Sequence, residues 1–320
     1  KPVDGSNPKT DWNGLHALED NIFVMNPENG WIQNCNSTPF TSAGKNSPKK
    51  EDYPYYMSSF PENFRGIHAI PLLNEATDLT LDKLITLAYD PYLPGADQLI
   101  SSLIKAYDAN KNDTQDLKEA IDLLKNWDFK VSKSSIAMTL SQYYLNTYYR
   151  SGNIPKSYKG RMAPFQYMNF ESDPKERLAI FRASLSNLKE DFGSWKTEWG
   201  QFNRYQRNDG KIHQIFNDSL PSIAVGMASS TWGALASFGT RKGEQTKRQY
   251  GVSGNSFVAV VEFGEKVKAK SMLAGGQSGD VNSPHFDDQS QRYADGLFKD
   301  IPFYKEDVLK RAESTYRPGQ

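Results

Sequence analysis

The sequence predicts an α+β fold because two of its segments have different hydrophobic periods. Apolar residues recur at helical spacing in the middle of the chain, whereas the last third contains two alternating runs typical of strands. The first quarter is rich in Pro, Asn, Gly and Ser and shows neither period. We therefore expect a loop-rich segment at 1–76, a helical region at 77–196 and a sheet-forming segment at 197–320.

The loop-rich segment contains short apolar pieces at 22–25 and 31–32, which predict brief strands within long ordered loops. Its many aromatic side chains supply the apolar area that disordered segments lack, so we expect it to be ordered and draped over a scaffold. These aromatic residues are Trp12, Phe23, Trp31, Tyr53, Tyr55, Tyr56, Phe60 and Phe64.

The helical region carries four apolar stripes that predict helices with one buried face. The stripes begin at Leu81, Leu99, Leu117 and Ile136. Thr80 is the predicted N-cap of the first. A fifth helix is predicted to start after Asp173, where Pro174 and Glu176 favour a first turn, and to stop at Gly193.

Two alternating runs in the last third, at 256–263 and 267–273, predict a β-hairpin because only a short connection separates them. Both faces of the first run are apolar, which favours a strand inside a layered sheet over an edge strand. The polar tail is predicted to end in a helix through Val308 and Ala312.

Charge and composition exclude several classes of function. The 38 basic residues balance 38 acidic ones, so no net field favours nucleic acid or an anionic membrane as a partner. No apolar run is long enough to span a bilayer. The single cysteine, Cys35, excludes an internal disulfide, and the four scattered histidines form no HExxH motif.

The candidate functional stretch is WIQNCNSTPF, and its candidate residue is Asn36. We expect Asn36 to be buried, and a buried primary amide held by its neighbours is a good hydrogen-bond donor to negative charge on a carbonyl oxygen, worth about 3 kcal/mol of activation barrier. In the alternative interpretation, Asn34, Asn36 and Ser37 only satisfy the hydrogen bonds of a polar loop. Sequence alone leaves both interpretations open.

Other polar residues are weaker candidates. Arg65 lies in an aromatic context where a guanidinium can hold several acceptors, although a surface ion pair is its usual role. Asp52 is a candidate cation ligand, but a single carboxylate beside two lysines favours a solvated charge cluster. Ser278 is not in a GxSxG motif, so a turn is the favoured role. His285 and Asp288 are interpreted as a hydrogen-bonded turn, with a metal or acid–base cluster as the alternative.

Five motifs occur together in this chain, and their order is specific. They are DWNGLHALEDNIFVMNPENGWIQNCNSTPF, WGQFNRYQR, SGNSFVAVVEFG, LAGGQSGDVNSPHFDDQ and YRPG. As a set they resemble the second half of the beta subunit of the penicillin amidase family. The ending GGQSGDVNSPHFDDQ is most similar to the acyl-homoserine lactone and aculeacin A acylase branch.

The resemblance implies a fold and an activity. Members of this family are N-terminal nucleophile hydrolases with an αββα sandwich, into which the helical region here would be inserted. They are made as self-cleaving precursors, and the new amino-terminal serine of the beta subunit attacks an amide carbonyl. By this resemblance Asn36 supplies one donor of the oxyanion hole and Arg65 orients it.

The resemblance also implies partners. Because Lys1 cannot act as the nucleophile, we expect the chain to be a fragment that needs an alpha subunit and the first part of the beta subunit, and to be inactive alone. The expected substrate is a small acyl amide. No cofactor is expected, although a structural calcium ion is implied for the full enzyme, and the expected location is periplasmic or secreted.

Two alternatives remain open from the sequence. In the first, the chain is a non-catalytic binding module whose ligand groove is lined by the aromatic residues of the first 75 positions. In the second, it is a relative that kept the fold and lost catalysis.

Overall fold

A computed structural model describes residues 2–160, 162–317 and 319 of this chain. Lys1, on which the fragment prediction rests, and Pro318 of the YRPG motif lie outside the described residues. Within the described part, no helix is both long enough and apolar enough to cross a bilayer.

Helices dominate the middle of the described chain. The α-helices are α1 Phe64–Glu75, α2 Leu81–Ala88, α3 Pro94–Asp108, α4 Lys118–Lys125, α5 Ile136–Ser151, α6 Ala163–Gln166, α7 Pro174–Phe192, α8 Trp199–Phe202, α9 Ser290–Ala294 and α10 Lys305–Arg311. A π-helical turn, Tyr167–Glu171, follows α6 directly.

The five predicted helices are confirmed as α2, α3, α4, α5 and α7, and local chemistry explains their ends. The Thr80 hydroxyl accepts a hydrogen bond from the Lys83 amide at the start of α2. The Asp173 carboxylate accepts one from the Lys175 amide at the start of α7, and Gly193 ends that helix at φ +79°. The predicted tail helix is confirmed as α10, with Ala312 as its C-cap.

One large core holds the helices together. Leu99, Leu103, Leu140, Tyr144 and Phe181 are completely buried in it, and they come from α3, α5 and α7. Burial of each such side chain contributes about 1.5–3 kcal/mol of transfer free energy. The apolar stripes read from the sequence are therefore packing surfaces.

Strands form two sheets in the last third. They are β1 Asn203–Tyr205, β2 Ile223–Ala224, β3 Phe238–Lys242, β4 Gln249–Gly254, β5 Phe257–Glu262, β6 Lys268–Leu273 and β7 Lys299–Asp300. The first sheet has the order β2-β1-β4-β3, with β1 and β4 parallel, and the second has the order β5-β6-β7. A smaller core, including Phe238, Met272 and Tyr293, packs the two sheets together with α9.

The predicted hairpin is confirmed, but the predicted position of its first strand is wrong. β5 pairs with β6 in an antiparallel register from Phe257 opposite Leu273 to Glu262 opposite Lys268. Within the described residues β6 is its only neighbour, so β5 is an edge strand. The side chains of Phe257 and Val261 are 61% and 41% exposed. The face of β5 that carries these two residues is therefore not buried, although its residues are apolar.

The loop-rich segment differs from prediction in two ways. Its apolar pieces at 22–25 and 31–32 form no strands, and their backbone is irregular. The segment ends instead in helix α1, whose residues Phe64 and His68 lie one turn apart on the buried face. The Phe64 ring packs edge-on against Phe165 at 5.0 Å. Helix α1 thereby fixes the loops to the helical core.

Candidate functional site

Asn36 lies in a tight turn with an unusual backbone conformation. Its φ is +54°, in the left-handed region that asparagine tolerates better than most residues. The Asn34 side-chain oxygen accepts a hydrogen bond from the Asn36 amide at 2.9 Å, which closes the turn. The Asn36 side chain is exposed. The turn therefore exposes the Asn36 side-chain amide to solvent, whereas we expected a buried amide from the sequence.

Arg65 lies against the same turn. Its Nη2 atom donates to the side-chain oxygen of Asn36 at 2.6 Å and to the backbone oxygen of Cys35 at 2.7 Å. Because a guanidinium has donors and no acceptor, the oxygen of the Asn36 amide must face it. The Asn36 Nδ2 group is then turned away from Arg65, with its hydrogens directed elsewhere. Two residues that are 29 positions apart thus form one polar unit.

Asn63 holds both of these residues in place. Its side-chain oxygen accepts from the amides of Arg65 at 3.0 Å and Gly66 at 3.1 Å, so it is the N-cap of α1. Its Nδ2 group donates to the backbone oxygens of Cys35 at 3.0 Å and Asn36 at 3.1 Å. Asn63 is 4% exposed, so water does not compete for these bonds.

Glu62 extends the network beneath Asn63. One carboxylate oxygen accepts from the Asn63 amide at 2.9 Å, and the other accepts from the Thr41 hydroxyl at 2.6 Å. Gly66 closes over the same carboxylate: a Cβ on Gly66 would lie 2.2 Å from Glu62 Oε1 and 3.0 Å from Ser37 Oγ. The space available at this point fits only glycine without rearrangement.

The Cys35 thiol is a poor nucleophile in this setting. Burial raises its pKa above the ordinary value, and the positive charge of Arg65 offsets only part of that rise. The thiol is therefore protonated at neutral pH, and the thiolate is the reactive form. Cys35 contributes its backbone carbonyl to the site.

A cleft of about 430 Å³ opens beside Asn36. Its apolar lining is contributed by Ile22, Phe23, Val24, Ile32, Pro39, Met57 and Phe60, and its polar lining by Gln33, Asn34, Asn36, Ser37, Thr38, Ser42 and Ser58. The side chains of Phe23, Ile32 and Phe60 are 59%, 52% and 63% exposed. A cleft that combines an apolar wall with convergent polar groups is a usual form of a small-molecule site.

The other candidate residues lie in structural turns. The Ser278 hydroxyl accepts from the Asp280 amide at 3.1 Å, which confirms the turn interpretation. Nδ1 of His285 pairs with a carboxylate oxygen of Asp288 at 3.0 Å on the surface, as interpreted from the sequence. These residues do not line the cleft beside Asn36.

Asp52, the candidate cation ligand, lies in the loop-rich segment. Asp52 is exposed at the end of a short 3₁₀-helix, Lys50–Asp52, that also carries a lysine. In the part of the chain that the structure describes, no three His, Cys, Asp or Glu side chains converge on one point.

Sequence reasoning missed Asn63. A signal for Asn63 was present, because asparagine directly before an apolar helical run is a typical N-cap. Its contact with the turn at Asn36 had no signal, since it joins residues 27 positions apart. His68 was also missed: its ring nitrogens contact the Gly233 oxygen at 2.8 Å and an Asp90 carboxylate oxygen at 3.0 Å.

The chain is similar to known proteins in sequence and in structure. The family model described as Penicillin amidase matches residues 1–310. Among solved structures, the chain is similar to a thermostable penicillin G acylase from Alcaligenes faecalis, with a TM-score of 0.55 and 16% identity. That match covers 96% of this chain and 60% of the acylase chain, so the present chain spans about three fifths of its neighbour's length. At this identity the likeness shows the fold alone, an α+β fold. The family match extends over nearly the whole chain, and the chain therefore belongs to the penicillin amidase family.

Proposed function

We propose that this chain carries half of the active site of an amidohydrolase that releases an acyl group from an amine. Membership of the penicillin amidase family supports hydrolysis of an amide bond. The observation that carries the proposal is the 2.6 Å hydrogen bond from Arg65 to the Asn36 side-chain oxygen. It leaves the Asn36 Nδ2 group as a preoriented donor at the edge of an apolar cleft.

In this proposal, Asn36 acts on the oxygen of the scissile carbonyl. When a nucleophile attacks the carbonyl carbon, the oxygen gains negative charge, and Asn36 Nδ2 donates a hydrogen bond to it. Such a donor stabilises the transition state by about 3–4 kcal/mol, because it strengthens as the charge develops. The amine then leaves, and water attacks the acyl-enzyme to release the acid.

The nucleophile is proposed to come from residues outside this chain, and the chain alone is proposed to be inactive. Among the described residues that line the cleft, the hydroxyls of Ser37, Thr38, Ser42 and Ser58 donate to no histidine or carboxylate. A hydroxyl needs an adjacent base to attack a carbonyl. By family resemblance the nucleophile is the amino-terminal residue of the beta subunit, and the alpha subunit is the further partner.

The acyl group is proposed to occupy the cleft beside Asn36. Its apolar wall, with Phe23, Ile32 and Phe60, suits an aliphatic or aromatic acyl chain. We assign the chain to the acyl-homoserine lactone and aculeacin A branch on the motif GGQSGDVNSPHFDDQ, which favours a longer aliphatic chain. A periplasmic or secreted location remains part of the same proposal.

The test is the turnover of the intact enzyme, meaning this chain combined with the residues that supply the nucleophile. Asn36→Ala is expected to lower kcat on a chromogenic acyl amide by about two to three orders of magnitude. Because Asn36 has a positive φ, Asn36→Gly provides a matched variant that removes the amide without backbone strain. Both variants should show the same decrease in kcat.

Asn153→Ala is the control, since Asn153 is an exposed asparagine that does not line the cleft. It should keep full activity. Unchanged kcat in both Asn36 variants would contradict the proposal.

A binding module is the second candidate function, and one observation favours it. A separate cavity of about 600 Å³ is lined by Trp12, Asn13, Gly14, Leu15, His16 and Tyr56. Trp12 is 88% exposed there, as a ring that stacks on a ligand would be. Ligand binding that is lost in Trp12→Ala, in an intact protein that hydrolyses no acyl amide, would favour this candidate.

A further inference from the structure

Asparagine at position 63 does more than cap a helix. An N-cap needs only an acceptor for the first free amides, and Ser, Thr and Asp serve equally well. Asn is the common capping residue that adds two N–H donors to its acceptor. Here the acceptor binds the amides of Arg65 and Gly66, while the donors bind the carbonyls of Cys35 and Asn36.

These contacts tie the start of α1 to the turn that carries the amide. The Asn36 carbonyl accepts from Asn63, and the Cys35 carbonyl accepts both from Asn63 and from Arg65, the latter at 2.7 Å. The left-handed backbone of Asn36 brings both carbonyls within reach of a single Nδ2 group. The φ of +54° is therefore held by Asn63 from one side and by the Asn34 side chain from the other.

We propose that Asn63 is a positioning residue for catalysis: its Nδ2 group fixes the turn so that the Asn36 amide points at the developing oxyanion. The proposal rests on the proposed function of Asn36. Asn63 touches neither substrate nor nucleophile and acts through Asn36 and Arg65. Losing its donors lets the turn shift, and a displacement of about 1 Å at a reacting group can cost up to about 100-fold in rate.

The variant that isolates this role is Asn63→Ser. Serine keeps a capping oxygen for α1 but lacks the forked amide that reaches both carbonyls. In the intact enzyme we expect kcat to fall by about 10- to 100-fold with KM unchanged. Asn63→Asp also keeps the cap, and it should lower kcat further because its carboxylate faces two carbonyl oxygens.

Two controls separate positioning from stability. Thr80→Ala removes the N-cap of α2, a helix whose residues do not line the cleft, and should leave kcat unchanged despite a similar loss of stability. In an Asn36→Gly background, Asn63→Ser should cause no further loss of kcat, because the group it positions is gone. An equal loss in both backgrounds would show a structural role and overturn the proposal.

The outcomes distinguish this inference from the proposed function. If Asn36→Ala lowers kcat and Asn63→Ser does not, the positioning role is wrong and the function of Asn36 stands. If Asn36→Ala has no effect, the proposed function fails. The geometric part is tested on the intact enzyme with ¹⁵N-asparagine labelling. Asn63→Ser should shift the Asn36 side-chain amide resonances, and unchanged resonances would overturn the positioning role.

Discussion

Nη2 of Arg65 lies 2.6 Å from the side-chain oxygen of Asn36, and this contact decides which way the Asn36 amide faces. The same nitrogen holds the Cys35 carbonyl at 2.7 Å, so side chain and backbone of the turn are fixed together. A free amide can rotate, and in the proposed reaction a rotated amide would present its oxygen to the oxyanion and repel it. The contact therefore fixes the orientation of the Asn36 amide and so the direction in which its Nδ2 group can donate.

Arg65→Lys should lower kcat of the intact enzyme by about tenfold or more. Lysine keeps the charge, but its ammonium ends a flexible stem and lacks the rigid, planar guanidinium whose Nη2 atom holds the Asn36 and Cys35 oxygens together. The control is Arg311→Lys, since Arg311 forms only an exposed ion pair with Asp300 at 3.2 Å, a type of contact that contributes little. In steady-state kinetics, kcat should be lower for Arg65→Lys than for Arg311→Lys. Equal activities would show that the charge of Arg65 suffices.

Filling the cleft should alter substrate choice. Ile32→Trp places a larger ring on the apolar wall, so kcat/KM for long acyl chains should fall by about tenfold or more relative to short ones. Leu18→Trp is the control, because Leu18 is 80% exposed and does not line the cleft. Kinetics on a series of acyl lengths give the comparison. A uniform loss at every length in Ile32→Trp would place the acyl group elsewhere.

Gly66→Ala should destabilise the protein, although glycine within a helix is normally less stable than alanine by about 0.5–1 kcal/mol. The new Cβ would approach Glu62 Oε1 within 2.2 Å and displace a carboxylate that is already bound to Asn63 and Thr41. Thermal unfolding should therefore give a lower Tm. Gly279→Ala, with nothing within 4 Å of the new Cβ, should change little. A raised Tm for Gly66→Ala would contradict the packing described.

Alkaline pH should destabilise the fold, in part through Tyr250. Burial and the Asp218 carboxylate, which accepts from the Tyr250 hydroxyl at 2.7 Å, raise its pKa to about 12. The folded state therefore keeps a proton that the unfolded state loses near pH 10. This contribution is fully present below pH 10 and is lost between about pH 10 and pH 12.

Urea unfolding at several pH values measures this effect. Tyr250→Phe lacks the titrating hydroxyl, so its free energy of unfolding should fall less steeply above pH 10 than that of the unchanged protein. Tyr55→Phe, at an 88% exposed position, should keep the original slope. Parallel slopes for Tyr250→Phe and the unchanged protein would assign the alkaline effect to other groups.

The sequence predicted the parts of this fold that depend on local chemistry. Helices with strong apolar stripes, the Thr80 cap and the Gly193 stop all formed as expected, because each depends on residues within one or two turns. The hairpin formed too, but its burial was predicted wrongly, since exposure depends on which strand lies beside β5 and not on its own side chains.

Asn36 and Arg65 were selected on a motif and a resemblance, and the structure brings them together. The exposure of Asn36 and the role of Asn63 were not predictable in the same way. Both depend on where α1 docks, and that is decided by Phe64 and His68 against residues such as Phe165 and Gly233, which are about 100 and 165 positions away. Contacts between residues so far apart in the chain produce no periodic pattern in the sequence.

The most direct test of the central claim is a structure of the intact enzyme with a transition-state analogue bound to its nucleophile. We expect the analogue oxygen to lie about 2.7–3.1 Å from Nδ2 of Asn36, while Arg65 keeps its contact with the Asn36 side-chain oxygen. An analogue oxygen held only by other donors, with the Asn36 amide turned away from it, would contradict the account.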